Sequence, residues 1–171
     1  MSKLIVLRGN SGSGKTTISK ALQKRFGRNT MLIAQDVIRM QMLNAKDIEA
    51  LPLIIDLIKY GKQNSDITIL EGILDSEFYR PLFEVIVEEY GVNVFAFYYD
   101  LPFEETLLRH NTKPNRADFG EQDMRRWWKE KDYINIIPER IITKEESLLD
   151  TVDMIYNLVL EESIRENETK R

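Results

Sequence analysis

Gly9-Asn10-Ser11-Gly12-Ser13-Gly14-Lys15-Thr16 is the stretch whose reading decides the fold. It fits G-x-x-x-x-G-K-[ST], a loop that cradles phosphate groups. In front of it, Lys3-Leu4-Ile5-Val6-Leu7-Arg8 is a short apolar run that reads as a buried strand. Behind it, Ile18, Ala21, Leu22 and Phe26 recur at helical spacing. Strand, glycine loop and helix is the setting the motif needs. Three glycines let the backbone turn tightly and aim successive N–H groups inward. The following helix adds free N–H groups and the positive end of its dipole. The expected nucleotide-binding residues are therefore Gly9, Asn10, Ser11, Gly12, Ser13, Gly14, Lys15, Thr16 and Thr17. Lys15 is placed to reach the β- and γ-phosphates of ATP, and the Thr16 hydroxyl to ligate Mg²⁺. A glycine turn that binds nothing is the competing reading, and the agreement of pattern with context weighs against it.

The chain has 171 residues, enough for one well-buried core and too few for two, so a single domain over 1–171 is expected. There are no cysteines, which excludes a disulfide framework, thiolate metal sites and thiol catalysis and suits a reducing cytoplasm. The N-terminus does not read as a signal peptide. No apolar run approaches the ~20 residues of a membrane span. The net charge of −4 argues against general nucleic-acid binding. Positive charge is nevertheless concentrated in Arg109, Lys113, Arg116, Arg125, Arg126, Lys129 and Lys131. A local cationic patch on an acidic chain suits a compact polyanion such as ATP, with part of the patch a solvated helix face.

Four further strands are expected. They are Thr30 to Gln35, Asp66 to Leu70, Val92 to Tyr99 and Arg140 to Thr143. Helices are expected after Asp36, from Pro52 to near Gly61, from Ser76 to Tyr90 and from Phe103 to His110. Two more follow, from Glu121 to about Asp132 and from Ser147 to about Arg165, with a frayed tail over 166–171. The third of these helices should bury Phe78, Leu82, Val85, Ile86 and Tyr90, and the last Leu148, Val152, Ile155, Tyr156 and Val159. The segment 44–50 is ambiguous. Alternating strands and helices imply an α/β fold with a parallel sheet covered on both faces. Ligand sites then belong at the carboxyl ends of the strands. The polar segment 111–120 reads as a mobile loop, and the region of about 109–131 as a lid.

A phosphate loop alone does not choose among nucleotide-using proteins. A GTPase should carry Asn-Lys-x-Asp after a late strand, and Asn111-Thr112-Lys113-Pro114 does not match. A small kinase needs a group to orient the acceptor hydroxyl, a carboxylate for Mg²⁺, and cations for the transferring phosphoryl. Asp36, at the end of the second strand, suits the first role, either alone or while also capping the next helix. Arg39 lies one turn on and could orient Asp36 or bind substrate. Glu71 is the metal carboxylate of choice, with Asp100 its rival, although Asp100 could instead cap the helix that follows. The cations are Arg109, Arg116, Arg125 and Arg126, of which Arg116 and Arg125 are the catalytic candidates. Trp127 and Trp128 cannot both face the core, since neighbouring helix positions diverge by about 100°. His110, the only histidine, has no partner residues that suggest zinc.

On Gly9–Thr17, on Asp36 with Arg39, and on the arginine-rich region Arg109 to Arg126, the chain resembles the small P-loop kinases of the zeta-toxin and chloramphenicol-phosphotransferase group. Adenylylsulfate kinases and polynucleotide-kinase domains are more distantly similar. The resemblance covers most of the chain. It implies a P-loop NTPase three-layer sandwich with five parallel strands in the order 2-3-1-4-5, with ATP as donor and Mg²⁺ as cofactor. It maps the catalytic base to Asp36 and the loop lysine and hydroxyl to Lys15 and Thr16. The expected activity is transfer of the γ-phosphoryl of ATP to a hydroxyl of a small molecule of nucleoside, sugar, nucleotide-sugar or antibiotic type. The alternatives are a kinase of nucleic-acid 5′-hydroxyls and a nucleotide-binding regulatory or toxin–antitoxin partner.

Overall fold

Strand β1, Lys3–Gly9, is buried at every position. A run that is apolar on both faces needs a sheet neighbour on each side and a helix layer above and below. The computed structural model describes residues 1–169, with side chains as far as residue 162, and supplies both. β1 pairs in parallel with β3 (Ile67–Gly72) on one side and β4 (Val94–Tyr99) on the other. β2 (Thr30–Ala34) pairs with β3, and β5 (Glu139–Ile142) with β4, again in parallel. The sheet order is β2-β3-β1-β4-β5, as the resemblance implied.

Six α-helices follow the strands: α1 (Lys15–Phe26), α2 (Asp47–Asn64), α3 (Arg80–Tyr90), α4 (Phe103–Asn111), α5 (Glu121–Trp127) and α6 (Leu148–Thr169). The alternation along β1 divides the core in two. Leu4 and Val6 face α2 and α3, joining Ile54, Ile58, Leu82, Phe83 and Ile86. Ile5 and Leu7 face α1 and α6, joining Ile18, Leu22, Val152, Ile155 and Val159. The result is three layers with the sheet in the middle.

Several boundaries differ from the sequence expectation. The segment after β2 is a π-helical turn over Val37–Met42, closed by the Leu43 N–H on the Ile38 carbonyl at 3.0 Å. Asp36 already has helical dihedrals and makes no side-chain cap, so the capping role considered for it is absent. Helix α2 starts at Asp47 rather than at Pro52, because Glu49 Oε2 accepts the Lys46 N–H at 3.0 Å and fixes the first turn. Pro52 is tolerated inside the helix. Gly61 does not stop α2. It allows close approach to β3, since a Cβ there would lie 2.4 Å from Thr68 Oγ1.

The start of α3 slips by four residues. Asp75 Oδ1 accepts the N–H groups of Glu77 and Phe78 in a tight turn, which leaves Phe78 exposed and puts Tyr79 in the core instead. Val92 is exposed in a 3₁₀ turn, and β4 begins two residues later. α5 ends at Trp127 rather than near Asp132 because Trp128 turns to extended backbone. Leu148 is exposed at the start of α6, whereas Val152, Ile155 and Val159 face inward as expected. α6 continues past Arg165 to Thr169. The frayed tail expected over 166–171 ends outside the described residues.

Candidate functional site

The glycine loop joins β1 to α1, and three of its positions carry a left-handed φ: 145° at Gly9, 83° at Gly12 and 98° at Gly14. Two of the three are also crowded. A Cβ at Gly9 would fall 2.8 Å from Tyr99 Cβ, and one at Gly12 would fall 2.4 Å from the Thr106 carbonyl. Glycine is the residue that meets both demands. Gly14 immediately precedes α1, so the loop delivers the chain into a helix N-terminus. Asn10 ties the loop to the segment after α5: its Nδ2 donates to the Lys129 carbonyl at 2.6 Å and its Oδ1 accepts the Lys129 N–H at 3.0 Å. The Asn10 carbonyl accepts Ser13 Oγ at 2.6 Å and Lys15 Nζ at 2.9 Å. Ser11 is half-buried, while Thr16 and Thr17 are exposed at the start of α1.

Lys15 is buried, with its ammonium held inside the loop by a single backbone carbonyl. Burial lowers its pKa to about 8 against the opposing pull of the Glu71 and Asp36 carboxylates. Glu71 lies near the end of β3. Burial raises its carboxyl above the usual range, opposed by Lys15 and by the Thr16 hydroxyl, which donates to Glu71 Oε1 at 3.0 Å. Thr16 and Glu71 thus converge, and together could hold a cation between a loop hydroxyl and a strand-end acid. No cluster of three acidic or histidine side chains occurs among the described residues. Asp100 points elsewhere: its Oδ2 accepts the Tyr133 hydroxyl at 3.1 Å and lies 3.8 Å from Lys131, and it does not cap α4, whose N-cap is Pro102.

Asp36 stands at the carboxyl end of β2 with its carboxylate exposed and acts on both Lys15 and Glu71. Arg39 Nη2 approaches Asp36 at 3.4 Å and Arg39 Nη1 approaches Asp47 at 3.7 Å. Asp36, Lys15 and Glu71 therefore lie together at the carboxyl ends of β1, β2 and β3.

The cations of the 109–131 region divide. Arg109 Nη1 donates to the Ser13 carbonyl at 2.9 Å, with its Nε on Glu105 at 2.8 Å, so α4 is anchored directly on the loop. Lys113 is half-buried and lies within electrostatic reach of Glu71 and Asp36. Burial lowers its pKa while Glu71 and Asp36 oppose that effect. Arg116 is exposed and reaches the Asn111 carbonyl at 3.4 Å. Arg125 pairs with Glu121 at 2.7 Å and lies 4.1 Å over the Phe103 ring. Arg126 pairs with Asp123. Neither Arg116 nor Arg125 contacts the loop in this conformation. Trp127 packs on Phe119, and Trp128 on Phe103, at 5.2 and 5.3 Å between centroids. His110 is buried, stacks on Phe119, and has Nε2 at 2.9 Å from the Phe119 carbonyl, which folds the 111–120 segment back on itself.

Sequence reasoning missed two members of this cluster. Lys113 stood in the cationic patch without a role, and Asp47 fell in the ambiguous 44–50 segment. The spacing of the chain carries no signal for either, since Asp47 joins the site through Gln35 and Tyr79, and Lys113 comes within electrostatic reach of Glu71 and Asp36 only in the folded chain.

No curated protein matches the sequence. Among solved structures, the APS kinase CysC of Mycobacterium tuberculosis superposes with a TM-score of 0.66 at 17% identity, covering 94% of this chain and 98% of that one. Shikimate kinase from Acinetobacter baumannii gives 0.64 at 20% identity, covering 95% of each chain. A gluconokinase from Sinorhizobium meliloti 1021 gives 0.64 at 13% identity, covering 99% of this chain and 98% of that one. At these identities the likeness is one of fold. A family model described as an AAA domain matches residues 4–133, a span that contains the glycine loop, Asp36, Glu71 and the 109–131 cations. On that match, with P-loop kinases as its structural neighbours, the chain belongs to the AAA domain family.

Proposed function

We propose that this protein is a Mg²⁺- and ATP-dependent phosphotransferase that moves the γ-phosphoryl of ATP to a hydroxyl of a small molecule of nucleoside, sugar, nucleotide-sugar or antibiotic type. The observation that carries this reading is that Asp36, Glu71 and Lys15 lie together at the carboxyl ends of β1, β2 and β3, beside Thr16. The APS, shikimate and glucono-kinase folds among its neighbours support it, and its motifs resemble the zeta-toxin and chloramphenicol-phosphotransferase group.

Asp36 orients the acceptor hydroxyl and takes its proton as the oxygen bonds to phosphorus and the bond to ADP breaks. Lys15 spreads the charge of the transferring phosphoryl. Thr16 and Glu71 would hold Mg²⁺, which supplies charge neutralisation across the β- and γ-phosphates when bound. Residues of about 109–131 act as a lid. Arg109 already donates to the loop and Lys113 is within electrostatic reach of Lys15, whereas Arg116 and Arg125 would join only by releasing Asn111 and Glu121. The whole chain, 1–171, works as one domain. No described helix is long and apolar enough to cross a membrane, which is compatible with a cytoplasmic setting. Asp47 and Asp36 flank a single arginine on the acceptor side, and this balance disfavours an oligonucleotide end as acceptor.

The test is transfer from [γ-³²P]ATP to a panel of nucleosides, sugars, antibiotics and oligonucleotides, with Asp36→Ala beside the wild type. The expected result is labelled product from a small-molecule class, abolished in Asp36→Ala while ATP affinity stays nearly intact. Acceptor-independent hydrolysis with no labelled product would favour a nucleotide-binding partner protein. Transfer that survives Asp36→Ala would remove the base assignment.

A further inference from the structure

Arg39 is held in an unusual way. Its guanidinium lies between two carboxylates, at 3.4 Å from Asp36 and 3.7 Å from Asp47. Charge-assisted pairs of this type ordinarily close to about 2.7–2.9 Å. Its Nε is buried and has no hydrogen-bond partner among the described residues. Arg39 is thus shared between the two acids and locked to neither.

What keeps it there is the other side of Asp47. Asp47 Oδ1 accepts the Tyr79 hydroxyl at 2.6 Å and Gln35 Nε2 at 2.9 Å. Gln35 Nε2 also donates to the Tyr79 oxygen at 3.0 Å. Both donors are buried, with Tyr79 1% and Gln35 5% exposed, so neither has water as an alternative partner. Gln35 is itself anchored on the end of β3. Its Oε1 accepts the Leu74 N–H at 3.1 Å, in a turn where Leu74 takes a left-handed φ of 47°. Gly72 makes room for it, since a Cβ there would fall 2.3 Å from Gln35 Oε1. A continuous chain of contacts therefore runs from the rigid end of β3, through Gln35 and Tyr79 to Asp47, and from Asp47 through Arg39 to Asp36.

We propose that Tyr79, Gln35 and Asp47 are positioning residues of the acceptor half-site. They hold the Arg39 guanidinium beside Asp36, near enough to orient that carboxylate and too far to lock it, so that an Asp36 oxygen stays open to the acceptor hydroxyl. This rests on the phosphotransferase reading and adds to it the elements that set the acceptor geometry. A network that served only to fasten the start of α2 would stabilise the fold without governing Arg39.

Tyr79→Phe removes one hydroxyl and keeps the ring in the core. Asp47→Asn keeps the shape and removes the charge, and Asp47→Glu restores the charge. Two readouts are needed. The first is transfer from [γ-³²P]ATP to the acceptor panel at saturating MgATP. The second is the Arg39 Nε–Hε NMR signal, assigned by its loss in Arg39→Lys, in the protein without nucleotide. The proposal expects transfer to fall by about 10- to 100-fold in Tyr79→Phe and Asp47→Asn, the scale of a misplaced reacting group. It expects MgATP affinity within twofold of wild type, partial recovery in Asp47→Glu, and a changed, more mobile Arg39 signal in the first two variants. Unchanged transfer overturns it, as does a loss of transfer that parallels lost ATP affinity and lost thermal stability. If the wild type labels no acceptor, the phosphotransferase reading fails by itself. The Arg39 signal then decides the network alone, and an unaltered signal in Tyr79→Phe overturns the proposal.

Discussion

Lys15 has one backbone carbonyl for a partner and almost no water, and this explains why its proton is weakly held. Polyphosphate would supply the missing countercharge. In the free protein the ammonium titrates at about 8, so between pH 8 and 9 a substantial fraction is neutral. Bound to ATP it would return to the charged form. ATP binding is therefore expected to take up a fraction of a proton at pH 8.5 and none from this group at pH 6.5. Calorimetry in buffers of different ionisation enthalpy measures it, and an uptake equal at the two pH values would contradict the burial argument. The same shift has a stability consequence. The folded pKa lies below the unfolded value of 10.5, so the unfolded chain binds more protons in this window and stability rises with pH from about 8 upward. The most this group can return is about 3 kcal/mol. Tyr79 and Tyr99 act the other way at higher pH, because burial raises both phenols and the native state keeps protons that the unfolded chain has lost. Denaturant titrations of the nucleotide-free protein at pH 7.5 and 9 should show the rise.

At the scale of elements, the loop is held from outside by α4 and by the segment after α5. α4 rests on it at two points, the Thr106 carbonyl over Gly12 and Arg109 on the Ser13 carbonyl. Gly12→Ala must resolve both a left-handed φ and a 2.4 Å contact with backbone, and is expected to cost about 1–3 kcal/mol and most of the ATP affinity. A urea midpoint and an ATP titration on the same sample check both. Arg109→Ala should weaken ATP binding more than Arg125→Ala, since Arg125 is engaged with Glu121 and Phe103. Equal affinities would show that contact with the loop does not govern binding. These elements were largely legible in the sequence, because the glycine loop and the five apolar runs each carry a local signal. The failures came where a tertiary contact or a local side-chain turn overrode it. Gly61 reads as a helix stop and is in fact a point of close approach to Thr68. Phe78 and Tyr79 exchange places because the Asp75 turn shifts the start of α3. Lys15, Thr16 and Glu71 could be found from motif and strand end. Asp47, Tyr79 and Lys113 could not, since folding alone brings them to the site.

Across the whole molecule, Arg8 is the side chain that joins the site's supports to the sheet. It is fully buried on β1, and its five N–H donors are all used. Nε and Nη2 donate to the Leu74 carbonyl at 3.0 and 2.8 Å, and Nη1 to the Asp132 carbonyl at 2.9 Å. The remaining two donate to Asp132 Oδ2 at 2.9 Å and Glu139 Oε1 at 2.8 Å. One residue of the central strand thus fixes the turn after β3, the segment before β5 and β5 itself. Such a charge is retained at a desolvation cost, and removing one partner strands the others. Arg8→Met keeps the length and apolar stem but leaves the Glu139 and Asp132 carboxylates without their cation, and a loss of about 3–5 kcal/mol is expected in urea denaturation at pH 7.5. The loss should also depend on pH in a definite direction. Burial already raises the Glu139 carboxyl, and Arg8 is the largest influence holding it down. Without Arg8 the folded protein would bind a proton at Glu139 more tightly than the unfolded chain does, so the variant should recover stability as the pH falls from 7.5 toward 5.5. Glu139→Gln placed on top of Arg8→Met should reproduce that recovery at pH 7.5. A deficit that is the same at both pH values, and is not relieved by Glu139→Gln, would mean that Arg8 acts through packing against Phe83 and Tyr98 rather than through its charge.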